Sequence, residues 1–209
     1  MNAIIFDFDD TLCKGQSING FIKLLIKKLG IYVGLKYYLF RLITPYKNNQ
    51  YPAYKEFLLR AFKDVDQSIF ESCALEYSQQ LIEHQLHREL ISKLTTYQQQ
   101  EDCVTILSSG GFEIYLTFIS THLGFDYLNA TQLEFKDGKF TGKIMGLENL
   151  EQQKLVNFKK NPTQFSNITM YTDSLNDLPL IEISNQVFIV HPKDRKPLWM
   201  KDAWQSIEV

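Results

Sequence analysis

Three carboxylates fall within four residues at the end of the first apolar run: MNAIIFDFDDTL places Asp7, Asp9 and Asp10 directly after the stretch AIIF. Carboxylates this close repel one another and raise each other's pKa unless a cation lies among them. An oxygen-rich site without Cys or His suits a hard ion, and Mg²⁺ in particular where phosphate is also bound. Two later apolar runs end in the same way. VTIL, 104–107, leads into Ser108, Ser109, Gly110 and Gly111, a hydroxyl and open backbone N–H groups with the character of a phosphate cradle ahead of a helix. ITMY, 168–171, leads into Thr172 and Asp173, with Asp177 about one turn later. Each has a plainer reading. An Asp after a strand often caps a helix or turn, paired glycines serve turns with positive φ, and Lys154 in LEQQKLVNF resembles a solvated helix lysine. Three strand ends carrying such groups together are hard to explain by packing.

The runs at 3–6, 104–107, 168–171 and 187–190 have the length and β-branched content of buried strands, and helical patterns at 113–123 and 175–183 separate the last three. Strands alternating with helices pair in parallel through right-handed crossovers, which predicts an α/β fold with a Rossmann-like parallel sheet. In such a sheet, ligands bind beyond the carboxyl ends of the strands, where the residues above would meet. Two segments interrupt the alternation. Residues 15–88 show helical patterns at 18–29, 35–43, 53–62 and 68–86 and no convincing strand, so they form a helical insertion into a core of 1–14 and 89–209. Residues 128–146 carry Asp137-Gly138 between LEF and KF, a hairpin signal.

Composition narrows the function classes. The chain has 209 residues, 44% hydrophobic and 22% charged, which is globular rather than disordered. With 22 basic and 24 acidic residues its net charge is -2, which gives no overall attraction to nucleic acid. Cys13, Cys73 and Cys103 are widely spaced, so neither a disulfide framework nor a zinc site is expected. No secretory signal or membrane span is visible, and a cytoplasmic location is the expectation. The segment 21–43 mixes Lys23, Lys27, Lys28, Lys36 and Arg41 with aliphatic and aromatic residues. Two packed helices with solvated lysines are the expectation there, and contact with a membrane surface is the alternative. His84 and His87 read as a polar helix face.

These residues resemble the haloacid dehalogenase-like superfamily of phosphohydrolases over nearly the whole chain. The family's D-x-D-x-T stands as Asp7-Phe8-Asp9-Asp10-Thr11, its strand-end serine as Ser109, its lysine as Lys154, with Lys143, Lys159 and Lys160 as neighbouring candidates, and its acidic motif as YTDSLNDLP. Asp10 stands where Gly is common, and Thr172 where a Gly precedes the acidic motif. The insertion has the position of the family's type I cap. SSGGF, the hairpin and the closing VFIVHPKDRKPLWMKDAW resemble the phosphoserine-phosphatase-like group, with His191 in place of an Asn before Pro192 and at the edge of the cleft. The resemblance implies a Mg²⁺-dependent phosphatase acting on a small phosphomonoester. Asp7 would be the nucleophile that forms an aspartyl-phosphate and Asp9 the general acid and base. Asp7, Asp9 and Asp173 would hold the metal, with Asp177 supporting the site. Ser109, Gly110 and Lys154 would hold the phosphate, and Thr11 would support the loop beside it. Gln16 matches a glutamate that reads the ammonium of phosphoserine, and Arg60 matches a carboxylate-binding arginine. The alternatives are phosphoserine phosphatase proper, a lipid-phosphate phosphatase at the membrane surface, and a non-catalytic phosphate-binding module.

Overall fold

β1 (Asn2–Phe6) is apolar along almost its whole length, and Ala3, Ile4, Ile5 and Phe6 are all buried. Both of its faces must therefore be covered, the situation of an interior strand in a parallel sheet. The computed structural model describes residues 1–43, 51–161 and 163–209. β1 pairs in parallel with β2 (Cys103–Phe112) on one side and with β6 (Asn167–Thr172) on the other. β3 (Tyr127–Thr131) continues the sheet beyond β2, and β7 (Gln186–His191) and β8 (Gln205–Glu208) continue it beyond β6. The order is β3-β2-β1-β6-β7-β8, with every pairing parallel. It changes direction at β1, which makes this the switch point where a ligand crevice opens. Register aligns the strand ends: Phe6 is level with Leu107 and Tyr171, so Asp7, Ser108 and Thr172 emerge side by side.

Strand alternation divides the core. Ile4 and Phe6 face α5 (Arg88–Gln98) and α6 (Glu113–Leu123), joining Leu90, Leu94, Leu116 and Ile119. Phe6 stacks on Tyr171 at 4.5 Å, and Tyr171 on Phe188 at 4.6 Å. Ala3 and Ile5 face the other way, toward Leu155 and Phe158 of α7 (Gln152–Lys159) and Leu180 and Ile181 of α8 (Leu178–Ile181). The helix expected at 175–183 is a 3-10 turn, Leu175–Asp177, followed by α8.

Between β1 and β2 lie α1 (Ser17–Leu29), α2 (Ile31–Ile43), α3 (Tyr51–Leu59), a 3-10 turn Arg60–Phe62 and α4 (Gln67–His84). α1 is amphipathic as its spacing predicts, burying Phe21, Ile22, Leu24 and Leu25 while Lys23, Lys27 and Lys28 stay outside. α2 packs on α1 as the expected helical hairpin with exposed lysines, but it also carries an apolar outer face. It buries Gly34 and Tyr37 but leaves Ile31, Tyr32, Leu35, Leu39, Leu42 and Ile43 exposed. Among the described residues no helix is long and apolar enough to cross a membrane.

The hairpin is shorter than the span 128–146. Residues 127–131 join the main sheet as β3, and the hairpin proper is β4 (Leu133–Lys136) with β5 (Lys139–Ile144). Its turn follows the sequence signal, with φ of 50° at Asp137 and 73° at Gly138, the paired positive values of a type I′ turn. The hairpin fastens to the insertion: Asp64 N–H donates to the Phe140 carbonyl at 2.8 Å, and Phe140 N–H donates to that of Val65 at 2.9 Å. Phe70 of α4 packs on Phe140 at 4.9 Å and on Phe21 at 6.4 Å, while Phe21 also meets Phe112 and Tyr115. Insertion, hairpin and core thus share one apolar cluster. Phe70→Ala is expected to cost about 3–5 kcal/mol of stability in urea denaturation, as for other buried aromatic truncations. An effect below about 1 kcal/mol would mean that the insertion does not depend on this cluster.

Candidate active site

The loop after β1 is shaped by its apolar residues. Phe8 and Leu12 are fully buried, and Thr11 and Cys13 donate backbone N–H bonds to the Phe8 carbonyl at 3.3 and 2.9 Å. This turns the chain tightly and leaves Asp7 and Asp9 beside the open edge. Asp10 has φ of 53°, a left-handed conformation that Gly adopts freely and Asp tolerates, which explains why glycine is common there. Its carboxylate accepts from Gly15 N–H at 3.0 Å and Gln16 Nε2 at 2.7 Å, closing the loop. Thr11 lies beneath: it is fully buried, and its hydroxyl donates to Asp173 Oδ1 at 3.3 Å. Thr11 therefore supports Asp173 and is not part of the cleft surface. Cys13 is no competing nucleophile, because burial and the nearby charges of Asp9 and Asp10 push its thiol up to about 12.

Lys154 occupies the centre. Its Nζ lies 2.8 Å from Asp7 Oδ1 and 2.5 Å from Asp177 Oδ1, and it is almost fully buried. Burial alone would lower the lysine's pKa, but the carboxylates of Asp177 and Asp7 more than offset this and keep it charged. Lys143, Lys159 and Lys160 are exposed, so Lys154 alone of the four candidates reaches the strand ends. Thr172, in place of glycine, donates its hydroxyl to Asp177 Oδ2 at 2.7 Å. The substitution thus orients the carboxylate that holds the lysine. Ser109 Oγ accepts from Gly111 N–H at 3.0 Å. Neither Gly110 nor Gly111 has positive φ, so a turn is not what they serve. A Cβ on Gly111 would stand 2.6 Å from the Tyr115 hydroxyl oxygen: close approach is the constraint.

Several groups at the site carry no sequence signal. Asn149 is fully buried and donates to the carbonyls of Ser109 at 3.0 Å and Asn129 at 2.7 Å, fixing the serine loop. Ser17, in the first turn of α1, donates its backbone N–H to Asp9 Oδ1 at 2.9 Å. Ser17 is gripped in turn by the Tyr115 hydroxyl at 2.7 Å and by Tyr77, whose hydroxyl donates to its carbonyl at 2.8 Å. A Ser at a helix start is the one hint available in advance. Lys55 of α3 and buried Glu148 form a close ion pair in the cleft wall.

The cleft encloses about 1010 Å³. Asp7, Asp9, Ser109, Gly110, Lys154 and Asp173 form its floor, and the insertion supplies Gln16, Tyr37, Arg41 and Lys55. Two expected groups lie elsewhere. Arg60 is exposed on its 3-10 turn and sits over the Phe57 ring at 5.8 Å, so it does not line the cleft, whereas Lys55, five residues earlier, does. His191 is buried at the far end of β7, where its ring bonds to Ser206 and the Pro192 carbonyl. His84 ends α4 and His87 precedes α5, so the two do not share a helix.

Electrostatics give the floor an excess of negative charge. Asp7, Asp173 and Asp177 are three carboxylates against the single ammonium of Lys154. Burial raises the pKa of Asp7, opposed by Lys154 and reinforced by Asp177 and Asp173. Burial likewise raises Asp9, opposed by the Ser17 bonds. Asp173 rises to about 6 through burial and repulsion from Asp10 and Asp177. Among the described residues, no three His, Cys, Asp or Glu side chains are grouped as a metal site. A cation here would use two carboxylates, Asp7 and Asp173, with the Asp9 backbone carbonyl, a hard oxygen set that fits the uncompensated charge.

The topology and the edge chemistry together are those of an α/β phosphohydrolase. The chain belongs to the haloacid dehalogenase-like hydrolase family, which matches residues 4–182. It is 25% identical over 214 residues to the histidinol-phosphatase of Neisseria meningitidis serogroup C, covering 91% of this chain and 90% of that protein. Its fold resembles a Bordetella pertussis Tohama I protein of unknown function, with a TM-score of 0.83 and 20% identity over 99% of this chain and 98% of that one. It also resembles the phospho-aspartyl intermediate analogue of phosphoserine phosphatase, with a TM-score of 0.58 and 21% identity over 90% of this chain and 85% of that one.

The pKa shifts carry a sign that can be tested. In chelator, Asp173 is protonated in the folded state up to about pH 6, whereas an unfolded Asp releases its proton near the ordinary 3.8. Between these values the folded state binds more protons, so stability contributed by this group falls as pH rises from about 4 to about 6. Thermal denaturation should show that fall, Mg²⁺ at neutral pH should reverse it, and Asp173→Asn should flatten both responses. A pH slope in chelator unchanged by Asp173→Asn would contradict this assignment.

Proposed function

We propose that this chain hydrolyses a small, soluble phosphomonoester enclosed between the sheet edge and the helical insertion, which acts as a cap. The observation that carries this reading is the buried contact between Asp7 and Lys154 at the switch point, with Asp9 in the same cleft. Asp7 attacks phosphorus, forming an O–P bond as the ester O–P bond breaks, and Asp9 gives its proton to the departing alkoxide. Water then attacks the aspartyl-phosphate, Asp9 takes its proton, and Asp7 is restored as inorganic phosphate leaves. The raised pKa of Asp9 suits the first of these roles, since a carboxyl must be protonated to donate. Ser109, the Gly110 N–H and Lys154 hold the phosphate oxygens, where positioning and charge supply most of the acceleration. Mg²⁺ bound by Asp7, Asp173 and the Asp9 carbonyl would screen the repulsion between anionic nucleophile and anionic phosphate.

The leaving group meets Gln16, Tyr37, Lys55 and Glu148. This wall presents both signs of charge and suits a small polar group. Gln16 donates its side-chain N–H to Asp10 and has only a neutral amide oxygen left for an ammonium, which weakens the case for phosphoserine itself.

Phosphate release across amino-acid, amino-alcohol, sugar, polyol, nucleotide and lipid phosphates, with Mg²⁺, tests the reading. Asp7→Asn should fall to background, and Asp9→Asn should lose about 10²–10⁴ in turnover. Undiminished turnover by Asp7→Asn would exclude the covalent route, and no release from any phosphomonoester would exclude the phosphatase reading.

A further inference from the structure

α2 is apolar on two sides, and only one of them is used. Its inner stripe, with Gly34 and Tyr37 buried, lies against the rest of the insertion, where Tyr37 packs on Phe62 at 5.8 Å. Ile31, Tyr32, Leu35, Leu39, Leu42 and Ile43 point outward, with Tyr32 86% and Leu42 82% exposed. Together with Tyr38, which is also exposed, these side chains fan at about 100° per residue over an arc of about 140°, wider than the roughly 100° stripe with which a surface helix meets its core. Lys36 borders the arc, whereas Arg41 lies on the inner side with Gly34 and Tyr37 and lines the cleft. A face this apolar is a site of contact rather than ordinary scatter of surface hydrophobics.

Charge selects the occupant. From Ser17 to Leu29 and from Ile31 to Ile43 the chain carries Lys23, Lys27, Lys28, Lys36 and Arg41 and no Asp or Glu, although the whole protein is net -2. A second copy seated on the same face would bring like charges together around the contact. The arc is convex and carried by one 13-residue helix, so it offers no groove for a partner chain. A fluid, negatively charged surface needs no shape match and complements both features. Apolar residues with Tyr, flanked by Lys, are also the composition that lies in a membrane interface.

We propose that the outer face of α2 docks on an anionic lipid surface, with Ile31, Leu35, Leu39 and Leu42 entering the headgroup boundary and Lys36 meeting lipid phosphates. The inner side of the same helix contributes Tyr37 to the cleft, so the contact lies about one helix diameter, roughly 10 Å, from the cleft wall. The inference is independent of the phosphatase reading, because it uses none of the residues of the cleft floor.

Flotation of the full chain with vesicles tests it. Binding to equal parts phosphatidylcholine and phosphatidylglycerol is expected, with much weaker binding to phosphatidylcholine alone and loss of binding in high salt. Leu39→Glu combined with Leu42→Glu should reduce binding by more than about tenfold while leaving the melting temperature unchanged, since both residues are exposed. No flotation of the parent chain with anionic vesicles would overturn the proposal, as would binding that the double variant retains. Equal binding to neutral vesicles would overturn the role given to charge. If light scattering instead showed a dimer that the double variant converts to monomer, without vesicle binding, the face would belong to a second copy and the proposal would fail.

Discussion

One buried ammonium facing three carboxylates is the constraint around which this molecule is arranged. Lys154 sits between Asp7 and Asp177 with almost no access to water, and Asp173 completes the acidic floor. Breaking a buried pair by removing one partner typically costs about 3–5 kcal/mol, because the charge left behind has neither water nor a counter-ion. Asp7 and Asp173 follow strand ends brought level by the parallel register, Asp177 comes from the 3-10 turn after β6, and the lysine comes from a helix on the opposite face of the sheet from α5 and α6. Thr172 and Thr11 each direct a hydroxyl to one carboxylate, so the residues beneath the floor fix its geometry as firmly as the lysine does. What remains uncompensated is negative charge, and that makes a cation part of the account.

The helical insertion takes part in building this site rather than merely covering it. Asp9 is held by the backbone of Ser17 at the start of α1, and Ser17 is held by Tyr77 of α4 and Tyr115 of α6. The residue assigned to proton transfer is therefore positioned by a contact that spans insertion and core. The shared aromatic cluster around Phe21 and Phe70 gives that contact a rigid base.

The central strands were legible because burial on both faces writes itself as a continuous apolar run. β3, β8 and α5 were not. β3 reads YLNAT and is only half buried, β8 is the polar edge strand QSIE, and α5 buries only Leu90 and Leu94. Asp7, Asp9, Ser109, Asp173 and Asp177 were legible because strand ends point to them, whereas Lys154, which spacing alone reads as a solvated helix lysine, was legible only through the family resemblance. Asn149, Lys55 and Glu148 were not, since what they bond to is decided by packing between segments far apart in sequence. Arg60 shows the same limit from the other side. A position within a helical insertion does not reveal which way its side chain points, and here the 3-10 turn sends Arg60 outward.

The central claim is that Asp7, held by Lys154, accepts a phosphoryl group. Acid quenching during turnover, followed by mass spectrometry of the peptide that contains the first loop, measures this directly. The account predicts a phosphoryl adduct on Asp7 that is absent from Asp7→Asn and accumulates when Asp9→Asn slows its hydrolysis. An adduct on another residue, or steady phosphate release from a turning-over enzyme with no adduct under any quench, would contradict it.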